Sequence, residues 1–173
     1  MKRVLTFISV FVLLLGFIAC GYHLVGRGSY LPSHIKKIAI PTFKNNTSRP
    51  GLEEVITEKV QEEFLSRGSY RILPAREGAD AELIGELVSY QLRPGALDEE
   101  GRATSYTVTV RAKVVFTDLV TGKVLFTNDH LTFSENFQVS EEVGDYYNQE
   151  EEAIKISAER FAKRLAALIL ESF

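Results

Sequence analysis

The chain has 173 residues, 45% hydrophobic and 25% charged, with a single Cys and a formal net charge of −3. That length and balance suit one globular domain and exclude both wholesale disorder and a multi-span membrane protein. One Cys excludes an internal disulfide and any multi-Cys zinc or iron–sulfur site, and the weakly acidic balance argues against a nucleic-acid binder.

The first nineteen residues stand apart from the rest. Lys2 and Arg3 precede an almost unbroken apolar run from Val4 to Ala19, and Cys20 follows. A cationic start, an apolar stretch and a small residue before the cut describe a secretory signal. The rival reading is a permanent membrane anchor. Sixteen helical residues reach about 24 Å, short of a hydrocarbon core of about 30 Å, and no basic stop-transfer cluster follows. Ala19-Cys20 after such a run resembles the bacterial lipobox, in which the Cys thiol is acylated and becomes the first mature residue. The match departs from the pattern at Phe17, where Leu is usual, and the alternative is ordinary signal cleavage beside an incidental thiol. Several acyl chains on one Cys would give stable membrane attachment. Gly21, rather than Asp, at the second mature position implies the outer membrane by resemblance. Removing residues 1–19 leaves 154 residues, and losing Lys2 and Arg3 moves the charge from −3 to −5. The expected organisation is a signal peptide over 1–19, a lipidated tether over 20–34 and one domain over 35–173.

In chain order, Gly21, Gly26, Gly28 and Pro32 mark the tether. Lys36–Thr42 reads as a strand with Ile38 and Ile40 on one face, and Pro41 suits its end or a sheet edge. Phe43–Arg49 reads as a polar loop. Pro50, Glu53 and Glu54 open an amphipathic helix whose stripe is Leu52, Val55, Ile56, Val60 and Phe64, closed by Gly68. Tyr70–Leu73 reads as a brief extended segment and Pro74–Asp80 as a turn. Ala81–Leu92 fits helix or strand by periodicity, and Gly85 favours strand. Arg93–Ala103 reads as a long connection. From Ser105 to Thr117, Tyr106, Val108, Val110, Ala112, Val114 and Phe116 alternate with Ser105, Thr107, Thr109, Arg111 and Lys113, which demands a long half-buried strand. Asp118–Gly122 is a turn, and Lys123–Phe137 completes an antiparallel hairpin built on Thr121-Gly122. A second helix starts with Glu150, Glu151 and Glu152 and carries the stripe Ile154, Ala158, Phe161, Leu165, Leu168 and Ile169. The predicted order is β-α-β-β-β-α. The predicted class is α+β, a two-layer sandwich with two amphipathic helices on a four-stranded, mostly antiparallel mixed sheet.

No catalytic constellation emerges. His23, His34 and His130 stand alone, without zinc-ligand spacing, and Cys20 is committed to the lipid reading, so no Cys/His nucleophile pair is available. Asp98-Glu99-Glu100 and Glu141-Glu142 read as solvated acids rather than a glycosidase pair. The sequence therefore predicts a protein that is not an enzyme and needs no cofactor. Cations gather around the long hairpin instead: Arg93, Arg102, Arg111 and Lys113. They are candidates for pairing with phosphate or carboxylate, against the plainer reading of a solvated sheet face.

Cys20-Gly21-Tyr22-His23-Leu24 after the leader, Leu31-Pro32, Ile38-Ala39-Ile40-Pro41, and Pro50-Gly51-Leu52-Glu53 at the helix entry form an ordered set. Gly101-Arg102-Ala103-Thr104-Ser105-Tyr106 and the Val114–Leu125 hairpin with Thr121-Gly122-Lys123 complete it. Together they resemble the lipopolysaccharide-assembly lipoproteins of the LptE family over essentially the whole mature chain. The resemblance implies a periplasm-facing lipoprotein at the inner leaflet of the outer membrane. It would plug the β-barrel LptD and take part in delivering lipopolysaccharide to the outer leaflet. It also implies lipopolysaccharide contact through basic residues near strand ends. Glu99 falls near one such family Arg, so no ligand residue carries over by identity. Arg93, Arg102, Arg111 and Lys113 remain candidates by charge and location. The alternative is another outer-membrane lipoprotein serving a different envelope-assembly machine.

Overall fold

The computed structural model describes residues 31–68, 70–138 and 145–170. The leader expected over 1–19, the acylation site expected at Cys20 and the tether as far as residue 30 lie outside the described residues. The elements are β1 (Lys37–Ala39), β2 (Lys44–Asn45), α1 (Leu52–Arg67), β3 (Arg71–Leu73), β4 (Ala81–Pro94), β5 (Ser105–Asp118), β6 (Val124–Gln138) and α2 (Asp145–Leu170). Among the described residues the class is α+β, with two helices and a mixed sheet as expected. The strand count is not: the sheet has six strands instead of four, and the order is β-β-α-β-β-β-β-α.

Two local causes account for the extra strands. The first expected strand, Lys36–Thr42, stops at Ala39 before Pro41, which has no N–H to donate, and β2 forms within Phe43–Arg49, expected as a loop. Ile40 still donates to Leu73 O at 2.9 Å, but the Phe43 amide turns to the Thr57 hydroxyl at 2.9 Å. Pairing with β4 then resumes at Lys44↔Glu86. The second addition is the short extended segment after α1, which pairs in parallel with β1 through Lys37↔Arg71, Ile38↔Ile72 and Ala39↔Leu73. Three residues are too few to reveal a ladder by periodicity. Along the main path the order is β3-β1-β4-β5-β6, with β2 also on β4.

β4, β5 and β6 form a long antiparallel meander, from Ala81↔Asp118 to Pro94↔Tyr106 and from Ser105↔Gln138 to Thr117↔Val124. β1, β2, β3, β4 and β6 thus run one way and β5 the other. One end of the sheet, called lower here, holds the starts of β1, β3 and β4 and the β5–β6 turn. The upper end holds the β4–β5 connection. α1 leaves the upper end of β2 and returns to the start of β3, while α2 follows the upper end of β6, so both helices run downward. Their contact includes the Arg67 guanidinium donating to Lys163 O at 3.2 Å.

The core lies between the helices and one sheet face. Val108, Val110, Ala112, Val114 and Phe116 of β5 are buried, as are Ile56, Val60 and Phe64 of α1 and Ala158, Phe161 and Leu165 of α2. The Phe161 ring lies 4.6 Å from that of Phe133 and meets Phe43 edge-on at 6.4 Å. Each such buried aromatic side chain contributes about 1.5–3 kcal/mol of transfer free energy. α2 begins five residues before the expected Glu150, and Leu168, expected in its buried stripe, is 37% exposed.

Candidate functional site

Because even-numbered residues of β5 enter the core, Thr107, Thr109, Arg111 and Lys113 lie on the opposite face. Both described helices pack on the core side, so among the described residues no helix covers this other face. Across it the register aligns Arg93↔Thr107↔Asn136, Gln91↔Thr109↔Ser134 and Ser89↔Arg111↔Thr132. The Thr107 hydroxyl donates to Asn136 Oδ1 at 2.6 Å, and the Thr109 and Ser134 hydroxyls lie 3.0 Å apart. The upper half of the open face is therefore a ladder of hydroxyls and amides carrying two guanidinium groups. Lys113 sits opposite Glu86, whose carboxylate accepts from the Asn46 amide.

Three of the four candidate cations, Arg93, Arg111 and Lys113, share this face and are exposed. Arg102 does not join them. It belongs to the β4–β5 connection, where its Nε donates to Asp98 Oδ2 at 2.7 Å and its Nη2 to Glu100 Oε2 at 3.2 Å. The Arg102 backbone amide also donates to Asp98 Oδ1 at 2.7 Å. That amide is the main cause holding the Asp98 carboxyl below the usual carboxylate range. Slight burial opposes it, and the guanidinium adds to it. Arg102 shapes the loop, with Gly101 in the left-handed region at φ 79 beside it.

At the lower end, His34 Nε2 lies 2.9 Å from Asp118 Oδ2. Burial pushes the Asp118 carboxyl up. The Thr121 hydroxyl, the Thr121 and Val120 amides and His34 outweigh it and hold the carboxyl below its ordinary value. Leu31 and Ile35, either side of this contact, are buried in the core. The last residues of the expected tether are thus packed into the domain.

Sequence patterning missed an open cleft of about 710 Å³ between the upper parts of α1 and α2. Leu52, Val55 and Ile154 line it, and Arg49, Lys59 and Lys155 face Glu58, Glu151 and Glu152 around its walls. With both signs present it does not select an anion. The cleft forms only when two distant helices meet, so no single window of sequence carries its signal. Among the described residues, no group of three or more His, Cys, Asp or Glu could hold a metal ion. No described helix is long and apolar enough to cross a membrane.

A family model for LptE, described as lipopolysaccharide-assembly, matches residues 35–170. The chain belongs to the LptE family. Its domain shares a fold with several solved structures at low sequence identity. Protein CT253 from Chlamydia trachomatis is 8% identical with a TM-score of 0.56, and the match covers 80% of this chain and 99% of that one. Lipoprotein B from Nitrosomonas europaea is 14% identical with a TM-score of 0.52, covering 86% and 92%. Protein XCC0632 from Xanthomonas campestris is 13% identical with a TM-score of 0.50, covering 80% and 85%. At these identities the likeness speaks for the fold alone. A search of curated proteins finds no match. The LptE assignment is one of lipopolysaccharide assembly, and it falls on the same residues that form the open-faced sandwich.

Proposed function

We propose that this LptE-family chain is an outer-membrane lipoprotein, acylated at Cys20 and facing the periplasm, that plugs an LptD-type β-barrel and takes part in delivering lipopolysaccharide to the outer leaflet. It catalyses no reaction of its own. The observation that carries the reading is the open sheet face. Among the described residues the two-layer sandwich leaves one face without a helix, and its upper half is a ladder of Ser, Thr, Asn and Gln with Arg93 and Arg111 rather than an apolar surface. The interior of a transmembrane β-barrel is polar, so such a face matches a lumen wall without burying unpaired apolar area. Family membership supports the partner, and the cations give the face a means of meeting phosphate groups of lipopolysaccharide or acidic groups of the barrel.

Shape and hydrogen bonding over the whole face carry the complex in this account, so no single cation dominates. Affinity purification of the tagged chain from detergent-solubilised membranes is the test. The barrel is expected to co-purify with the unaltered chain and with Arg111→Ala. It is expected to be lost when Arg93, Arg111 and Lys113 are all changed to Glu. Recovery of a different envelope-assembly complex in place of the barrel would overturn the reading.

A further inference from the structure

Six large apolar side chains are conspicuously exposed among the described residues: Leu65, Ile84, Leu97, Val120, Val124 and Leu168. Five of them belong to the lower end. Val120 is in the β5–β6 turn and Val124 is the first residue of β6. Ile84 is the fourth residue of β4, and Leu65 and Leu168 each lie two residues before the end of a downward-running helix. Val120 is 66% exposed and Val124 51%. On the open face Ile84 stands opposite Val115, and Val124 is aligned with Thr117, so the lower part of that face carries an apolar strip, flanked by the Glu86–Lys113 and Glu82–Thr117 pairs, that the upper half lacks. A polar barrel lumen offers no partner to such a rim.

Cations surround the same end. Lys36, Lys37, Arg71 and Lys123 are exposed at the starts of β1, β3 and β6. Two nearby carboxylates are already engaged: Asp80 accepts the Lys36 and Lys37 backbone amides at 2.9 and 2.8 Å, and Glu82 pairs with Arg76 at 3.8 Å. With Arg76 counted, the cations slightly outnumber the carboxylates of the same end, Glu77, Asp80, Glu82 and Asp118, in a chain of net charge −3. The described chain also begins here, since Leu31 and His34 are fastened at this end. Cys20 lies eleven residues before Leu31, within about 40 Å of extended chain.

We infer that the lower end of the domain seats on an anionic phospholipid surface, with Val120 and Val124 entering the headgroup boundary and Lys36, Lys37, Arg71 and Lys123 meeting lipid phosphates. An apolar tip ringed by cations is the arrangement that binds an interface through buried area together with attraction to anionic lipid. This contact is separate from acylation and from barrel binding, so it is tested with neither present.

The chain from residue 20 onward carrying Cys20→Ser, and hence no acyl group, is sedimented with vesicles of phosphatidylethanolamine containing phosphatidylglycerol. It is expected to bind, to bind phosphatidylethanolamine-only vesicles several-fold less, and to be released by high salt. Val120→Ser with Val124→Ser should weaken binding about tenfold, given the apolar area withdrawn from the interface. Both sites are exposed, so an unchanged circular dichroism spectrum confirms folding. Leu97→Ser at the upper end should leave binding unaltered. Absence of vesicle binding by the Cys20→Ser chain overturns the inference, as does equal binding by the double-Val variant. Loss of barrel co-purification in the double-Val variant, with vesicle binding absent throughout, would reassign this end to a protein contact.

Discussion

The Phe43 ring lies against Gly85 so closely that any Cβ at position 85 would overlap it. Phe43 follows the Pro41 break between β1 and β2, and its ring is wedged between β4 and the Phe161 edge. Gly85 is thus needed for a close approach in the middle of a strand that glycine would otherwise weaken. Gly85→Ala is expected to destabilise the domain by about 1–3 kcal/mol through overpacking, read as a lower urea midpoint at an unchanged slope. Adding Phe43→Leu should recover part of that loss; strictly additive effects would remove the close approach as its cause.

Asp118 ties the segment before β1 to the β5–β6 turn. Its side chain is almost fully buried and accepts from the Val120 amide at 2.9 Å, the Thr121 hydroxyl at 2.7 Å and the His34 ring at 2.9 Å. Asp118→Ala leaves those donors without their acceptor and should cost about 1–3 kcal/mol. The folded state holds this carboxyl below its ordinary value, so folding favours the ionised form. Its contribution is complete above the unfolded carboxylate range near pH 4 and is lost as pH falls through the lower folded value. Asp118→Asn should therefore flatten the fall in stability below about pH 4. Denaturation midpoints measured from pH 3 to pH 7 (a range set by about one unit either side of carboxylate and imidazole titration) check the slope.

Tyr90 of β4 reaches across the core edge to α2, donating its hydroxyl to Glu150 Oε1 at 2.5 Å, while Arg49 approaches the same oxygen at 3.7 Å. Glu150 is buried, so it depends on these two partners for compensation. Tyr90→Phe should cost about 1.5–3 kcal/mol, the range for a hydrogen bond to a charged group. A midpoint equal to that of the unaltered chain would mean that Arg49 alone satisfies the carboxylate.

Arg102 and Arg111 separate two kinds of cation that a sequence presents alike. Arg102→Ala releases Asp98 and Glu100 and should speed proteolytic cleavage in the 95–104 connection without loss of the barrel. Arg111→Ala should change neither, because the surface charge it removes contributes little to stability. Cleavage rates with a limiting amount of subtilisin, which does not need a basic residue in the connection, alongside co-purification of the barrel, distinguish the two.

The long elements were legible in the sequence because each is periodic over many residues. The alternation from Ser105 to Thr117 yields β5, and the stripe Leu52–Ile56–Val60–Phe64 yields α1. Of the short strands, β1 was read and β3 was seen as an extended segment, but β2 and the place of β3 in the sheet were not. Lys44–Asn45 has two residues, Arg71–Leu73 has three, and both exist through parallel pairing with distant chain. The open face was legible as the outward half of β5, but its division into a polar upper half and a lower part crossed by an apolar strip was not. That division needs the register of Ile84 with Val115 and the position of Val124 across a bulge. The placement of Arg102 also escaped, because four cations near one hairpin do not reveal which is held by its own loop acids.

The most direct test of the central claim is depletion of this chain in its source cell, scoring surface lipopolysaccharide and correct assembly of the LptD-type barrel together. The account predicts that both fall on depletion and that both recover with the unaltered chain. Recovery should fail with the Arg93, Arg111 and Lys113 triple Glu variant, even where that variant is folded and membrane-bound. Normal surface lipopolysaccharide and a normally assembled barrel in depleted cells would contradict it.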